Sequence, residues 1–228
     1  MIKIMGFLAS FVMNEEVKKA QAVFKRKPTL KNQLAVNARA VLPALFQSLV
    51  VDDNHQLPIR PDLTHGAEQY LQRLDNWGEF ELYLFMVFSV AMPAATQRRL
   101  MNIALNRSRH YRHFLNAPLL AHHLLENQIT LELTRQDIPA AARYLSQLET
   151  ALEKQPSAEF ALWARCHTAE LDVRKGQPQE AAALLDQIIQ IATTLKLTNL
   201  AEVFVFMRPI ILNEPPTSAY KYFHVMFD

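Results

Sequence analysis

Apolar residues recur at helical spacing along almost the whole chain, broken by short polar stretches. Phe7, Leu8, Phe11 and Val12 form a first stripe, and after Asn14 the residues Val17, Ala20 and Phe24 form a second. Lys25-Arg26-Lys27 end that helix, where positive charge suits the dipole, and Pro28 stops it. Thr29 is placed to N-cap a helix running to about Val50, and Val51 to Pro61 has loop composition. Pro61 to Asp75 is predicted as the next helix, with Asn76 in position to cap its successor. The helices then pair. Trp77–Ala91 faces Pro93–Phe114, Ala117–Arg135 faces Asp137–Lys154, and Ser157–Lys175 faces Gln177–Leu195. Asn199 and Glu202 read as a capping box for a helix ending near Pro209. The tail from Asn213 holds Pro215 and Pro216, then Tyr220, Tyr222, Phe223 and Phe227.

The two hairpins before that last helix repeat each other at an offset of about 40 residues. Asp137-Ile138-Pro139-Ala140-Ala141 aligns with Gln177-Pro178-Gln179-Glu180-Ala181, and Leu145 and Leu148 align with Leu185 and Ile188. Helix-turn-helix units at a period of roughly 34 to 45 residues mark tetratricopeptide-like arrays, whose units stack because none can bury its apolar face alone. The fold class expected is therefore all-α, a right-handed superhelix of about five tandem helical hairpins with a concave binding face. Trp77, Phe80 and Phe85 fall on one helical face and are expected to be structural.

Composition narrows the classes. Half of the 228 residues are hydrophobic and a fifth are charged, which argues for a packed core and against disorder. Four glycines are few for a β or α/β fold of this length. A net charge of +2 is too small for the chain as a whole to act as a polyelectrolyte binder of nucleic acid. The single cysteine, Cys166, excludes an internal disulfide framework and fits the cytoplasm. Met1–Met13 could be read as a signal peptide, but no small-x-small cleavage site follows. The apolar run Leu82–Met92 is too short for a membrane span, which needs roughly 20 residues.

Little in the sequence asks for catalysis, a metal or a cofactor. His110, His113, His122 and His123 lie close together, yet no acidic neighbour or His-Glu-x-x-His pattern completes a metal site. Cys166 and His167 are adjacent and so point about 100° apart on a helix, and Cys166 falls on an apolar stripe. No Gly-rich phosphate loop or G-x-S-x-G elbow occurs. Between Glu81 and Glu126 there is no acidic residue, while Arg98, Arg99, Arg107, Arg109 and Arg112 are present. Three readings of this stretch stand: a solvated face, a surface for an anionic ligand or peptide, or a nucleic-acid patch. Asn127 sits mid-helix, where Asn is a poor choice, and the repeat register puts it opposite His167. Either the two are unrelated exposed residues, or they project into one groove and supply amide and imidazole partners to an extended peptide. Asn37 and Arg39 are weaker candidates for the same groove.

The run Trp77-Gly78-Glu79-Phe80-Glu81-Leu82-Tyr83-Leu84-Phe85 resembles the Rgg/GadR/MutR family of Gram-positive transcriptional regulators. Leu8–Phe24, Leu125–Leu152 with its mid-helix Asn127, and Gly176–Ile211 resemble further hairpins of that family in order and spacing. The resemblance implies a C-terminal superhelix that takes short secreted peptides in its groove, in homodimers, behind an N-terminal helix-turn-helix. The chain begins at about the first residue of the repeat domain. It is therefore expected to be a headless paralogue or a shortened product, with DNA reached only through a helix-turn-helix absent from it. The organisation expected is a ligand-binding repeat domain over residues 1–212 and a cap or dimerisation tail over residues 213–228. The alternative function is a scaffold that dimerises with or sequesters full-length regulators without a ligand. Val203–Met207 and Ile210–Leu212 make the last helix apolar on most faces, which demands cover from the tail or, as the resemblance favours, from a second copy.

Overall fold

The protein is described from a computed structural model, which defines residues 15–46, 59–108 and 119–213. The stripe at Phe7–Val12, the loop up to Pro58, the helix end near Val50, His110, His113, Arg109, Arg112 and the aromatic tail lie outside these residues. Among the described residues all regular structure is α-helical and no strand occurs. The helices are α1 over residues 15–26, α2 Leu30–Phe46, α3 Pro61–Arg73, α4 Glu79–Ser89, α5 Ala94–Ser108, α6 Leu120–Thr134, α7 Ile138–Lys154, α8 Ala158–Arg174, α9 Pro178–Thr194 and α10 Thr198–Asn213. They fall into two compact units, Met1–Tyr111 and Arg112–Asp228.

In the first unit α2 packs on α3 and α4, and α4 packs on α3 and α5. Thr29 caps α2 as its sequence position demands, its Oγ1 accepting from the Asn32 N–H at 3.3 Å. The aromatic run divides. Trp77 precedes α4 instead of belonging to it. Its indole is buried against Phe85 at 5.9 Å between ring centroids, and its Nε1–H donates to the Leu71 carbonyl at 3.0 Å. Phe80 does not share that burial. It is 42 % exposed, with the Lys31 ammonium over its ring at 5.8 Å. The helix starts only at Glu79, because Gly78 ends the extended approach and its N–H donates to Glu81 Oε2 at 2.7 Å. Counting Trp77 as helical therefore put Phe80 on the wrong face.

In the second unit the 40-residue repeat is explicit. α7 and α9 are both 17 residues long, begin 40 positions apart and each carry a proline in the first turn. The turns that precede them are alike in their hydrogen bonds. Gln136 and Gly176 adopt left-handed φ values of 60° and 81°. Gln136 N–H reaches Leu133 O and Asp137 N–H reaches Glu132 O, while Gly176 N–H reaches Val173 O and Gln177 N–H reaches Asp172 O. Each is a Schellman motif, which satisfies the last carbonyls of one helix while turning the chain into the next. A third copy joins α9 to α10, with Lys196 at φ 59°, Lys196 N–H on Thr193 O and Leu197 N–H on Ala192 O. α10 starts at Thr198, so Asn199 lies inside its first turn rather than at its cap, and it continues through Pro209. Phe204, Met207 and Ile211 hold α10 into a cluster with Leu162, Trp163 and Cys166 of α8 and Leu185 and Ile188 of α9. That burial on both sides of Pro209 outweighs the one hydrogen bond the proline removes.

Candidate functional site

The first helices of the two hairpins, α6 and α8, differ from ordinary amphipathic helices. Ten of the fifteen residues of α6 are buried, which leaves it covered on most sides, and the buried set includes polar and charged groups. Glu126 and Glu170 are each 6 % exposed, Glu132 is fully buried, and His167 is 2 % exposed. A buried carboxylate is tolerated only when hydrogen-bonded or ion-paired. Glu126 Oε1 accepts from His167 Nε2 at 3.3 Å and from Thr130 Oγ1 at 3.3 Å. Glu132 Oε1 accepts from Gln128 Nε2 at 2.7 Å, with Arg135 Nη1 at 3.6 Å. Arg174 Nη2 donates to Glu170 Oε1 at 3.1 Å and to the Leu133 carbonyl at 3.5 Å, which ties the end of α8 to that of α6. Two of these contacts, His167 to Glu126 and Arg174 to the Leu133 carbonyl, cross the α6–α8 seam.

At the other end of the seam His122 and His123 flank Phe160, with ring centroids 5.4 and 4.6 Å away. The His122 Nε2–H donates to the Gln155 carbonyl at 3.0 Å, and its buried Nδ1 has no partner. Burial holds its pKa below the usual imidazole range, so the ring stays neutral. Cys166 is buried, and burial first, then Glu170 and Glu126, pushes its thiol well up, so it carries no thiolate.

Asn127 and His167 do occupy equivalent positions, seven residues before the C-terminal ends of α6 and α8. Their environments differ. Asn127 is half-buried and its side-chain amide makes no hydrogen bond among the described residues, whereas His167 lies behind it against Trp163 and Glu126. Asn37 and Arg39 belong to the other unit and diverge on α2. Asn37 is committed internally, accepting from Gln33 Nε2 at 2.9 Å and donating to the Leu63 carbonyl at 3.0 Å. Arg39 is exposed beside a cleft of about 280 Å³ between α1 and α2, with Ala20 and Ala35 in its lining, and spends one donor on the Ala35 carbonyl. The arginine-rich stretch after Glu81 also divides: Arg107 braces the turn before α4 through the Asp75 carbonyl and Asn76, while Arg99 is exposed. Sequence reasoning missed Glu126, Glu132 and Glu170. Their spacing carried no signal, since at the 40-residue offset Glu126 aligns with Cys166, Glu170 with Thr130 and Glu132 with Asp172.

Among the described residues no helix is long and apolar enough to cross a membrane. No curated protein matches the chain. Among solved structures, a crystal structure of a candidate transcriptional regulator from Listeria monocytogenes EGD-e aligns with a TM-score of 0.71 over 91 % of this chain and 73 % of that one. At 18 % identity that likeness bears on the fold alone. The family described as HTH-type transcriptional regulator Rgg, C-terminal domain, matches residues 28–205, which spans α2 to α10 and therefore both units, and the chain belongs to that family of regulator domains rather than to an enzyme class.

Proposed function

We propose that this domain is the peptide-sensing regulatory half of an Rgg-type transcriptional regulator, working in the cytoplasm. The observation that carries the reading is the unspent amide of Asn127, half-buried in mid-helix beside a buried polar seam. A helix that only needed packing would place an apolar or small residue there. An extended peptide offers alternating N–H and C=O groups, which a carboxamide can meet with one donor and one acceptor. His167 takes part from behind Asn127, through its bond to Glu126. Asn37 and Arg39 stand on α2 in the other unit, Asn37 with its amide already spent on Gln33 and Leu63, and neither is assigned to this contact.

The regulator is further proposed to act as a homodimer through the outer face of α10. There Val205 is 55 % exposed and Phe206 43 % exposed, with Pro209 one turn on. Light scattering at micromolar concentration then reports twice the chain mass, and Phe206→Glu yields monomer.

The test of the sensor reading is a thermal-shift screen against synthetic octapeptides covering the short reading frames that flank the gene. A peptide that stabilises the parent chain and loses about ten-fold or more in affinity against Asn127→Ala supports it, as expected for one lost buried partner. Equal affinity for the two proteins rejects it.

A further inference from the structure

The charge of the chain is unevenly distributed. Residues 15–46, the α1–α2 hairpin, hold seven basic and two acidic residues, so this hairpin carries +5 while the whole chain carries only +2. The two acids are already used within α1: Glu15 pairs with Lys18 at 2.8 Å and Glu16 with Lys19 at 2.6 Å. Five cations remain, namely Lys25, Arg26, Lys27, Lys31 and Arg39, and all five are exposed. Lys25, Arg26, Lys27 and Lys31 form no salt bridge among the described residues, whereas Arg39 shares a cleft with Glu16 and feels its charge, and Lys31 also lies over the Phe80 ring. Four cluster at the tip, where α1 turns into α2. The helix dipole does not account for them. The end of α1 is already satisfied, since the Lys27 N–H donates to the Val23 carbonyl and Asn32 Nδ2 donates to the Lys27 carbonyl at 2.8 Å. One cation in the last turn is enough for a dipole, and three successive ones with a fourth across the turn exceed it.

We infer that the tip of the α1–α2 hairpin contacts the phosphate backbone of double-stranded DNA. The inference rests on the regulator reading above, because a domain carried by a DNA-binding protein works within reach of a polyanion. It adds that this chain itself engages DNA, contrary to the expectation that DNA is reached only through a separate helix-turn-helix. The +2 of the whole chain argues against a polyelectrolyte binder only if charge is spread evenly. A local cluster of unneutralised cations on a convex turn releases counterions wherever it meets phosphate. Such contacts carry no sequence information and would hold orientation on the duplex rather than choose the site.

The experiment is fluorescence anisotropy of the full chain with a labelled random-sequence 20-base-pair duplex, titrated at 50 and 200 mM salt. Four phosphate contacts give a log–log salt slope of about −3.6, a loss of roughly 100-fold between the two salts. Lys25→Gln/Arg26→Gln/Lys27→Gln/Lys31→Gln removes most of the affinity at 50 mM and flattens the slope. Lys25→Arg/Lys27→Arg/Lys31→Arg retains both, and Lys154→Gln/Arg165→Gln, which removes two exposed cations of the other unit, changes neither. All these side chains are exposed, so melting curves should coincide with the parent. Absent binding, or equal binding by the quadruple glutamine variant, overturns the inference. So does a polyglutamate peptide that competes as well as duplex of equal charge, which would place an acidic protein there instead. None of these outcomes bears on the peptide screen, which reads the other unit.

Discussion

Within the second unit, α6 and α8 contrast with α7 and α9. The second helices of the two hairpins bury one stripe each: Ala140, Ala141, Tyr144, Leu145 and Leu148 on α7, and Ala181, Leu185, Ile188 and Ala192 on α9. Both stripes repeat at three- and four-residue steps, and the opposite faces are exposed. The first helices are buried on most sides and hold three glutamates and two histidines in that burial. Packing alone explains the second helices. It does not explain the first, because an all-apolar seam would avoid the desolvation of every carboxylate. The difference is one of buried charge: α6 and α8 enclose hydrogen-bonded carboxylates, and the buried stripes of α7 and α9 hold none.

The largest expected effects test the shared core rather than the contrast. Trp163 packs edge-on against Phe204 at 4.9 Å between centroids, in the cluster that joins α8 to α9 and α10. Trp163→Ala should cost about 3–5 kcal/mol in chemical denaturation, as large core deletions do. A change under about 1 kcal/mol would mean that α10 is held otherwise.

A sharper test compares Glu126→Ala on a first helix with its neighbours. It removes the carboxylate that His167 Nε2 meets, while the Thr130 hydroxyl keeps the Glu126 backbone carbonyl at 3.2 Å, and should cost about 1–3 kcal/mol. Adding His167→Phe should recover part of that loss. Strict additivity in the double-mutant cycle would show that the pair is not coupled.

Gly176→Ala should cost about 1 kcal/mol, because its φ of 81° disfavours a Cβ although nothing lies within 4 Å of where one would stand. An unchanged midpoint would mean the turn before α9 relaxes freely.

The pH response of His122 is the smallest effect. Its pKa is lowered in the folded state, so the unfolded chain takes up a proton that the fold refuses. Its contribution is complete above the ordinary imidazole value of about 6.5 and is lost as pH falls below it. Denaturation midpoints measured from pH 7.5 to 5.5 should therefore decline, and His122→Phe should reduce that slope. An identical slope in the variant would assign it to other groups.

Much of this fold was legible because its signals are local. Proline at the start of α7 and α9, Asp137 accepting from the Ala140 N–H at 3.1 Å, and alanines in fixed register give a hairpin its boundaries. Thr29 and the 40-residue repeat were readable for the same reason. Errors arose where tertiary packing overrode a local rule. Pro209 reads as a stop, yet Met207 and Ile211 keep α10 going. Gln136 and Lys196 read as ordinary polar residues, yet both take the left-handed conformation that Gly176 advertises. The site was less legible. Asn127 was visible as an anomaly in a helix, but the buried glutamates look like surface residues until the partner helix is in place. A glutamate one turn from a core position has the same spacing whether it faces water or His167.

The most direct measurement of the proposed sensor role, in which Asn127 meets the peptide and His167 supports it from within, is amide hydrogen exchange with and without a peptide hit from the flanking reading frames. Slowed exchange should concentrate on α6 around Asn127 and on α8 around His167, with α7 and α9 little changed. Protection confined to α7 and α9, or no peptide that slows exchange in any helix, would contradict the account.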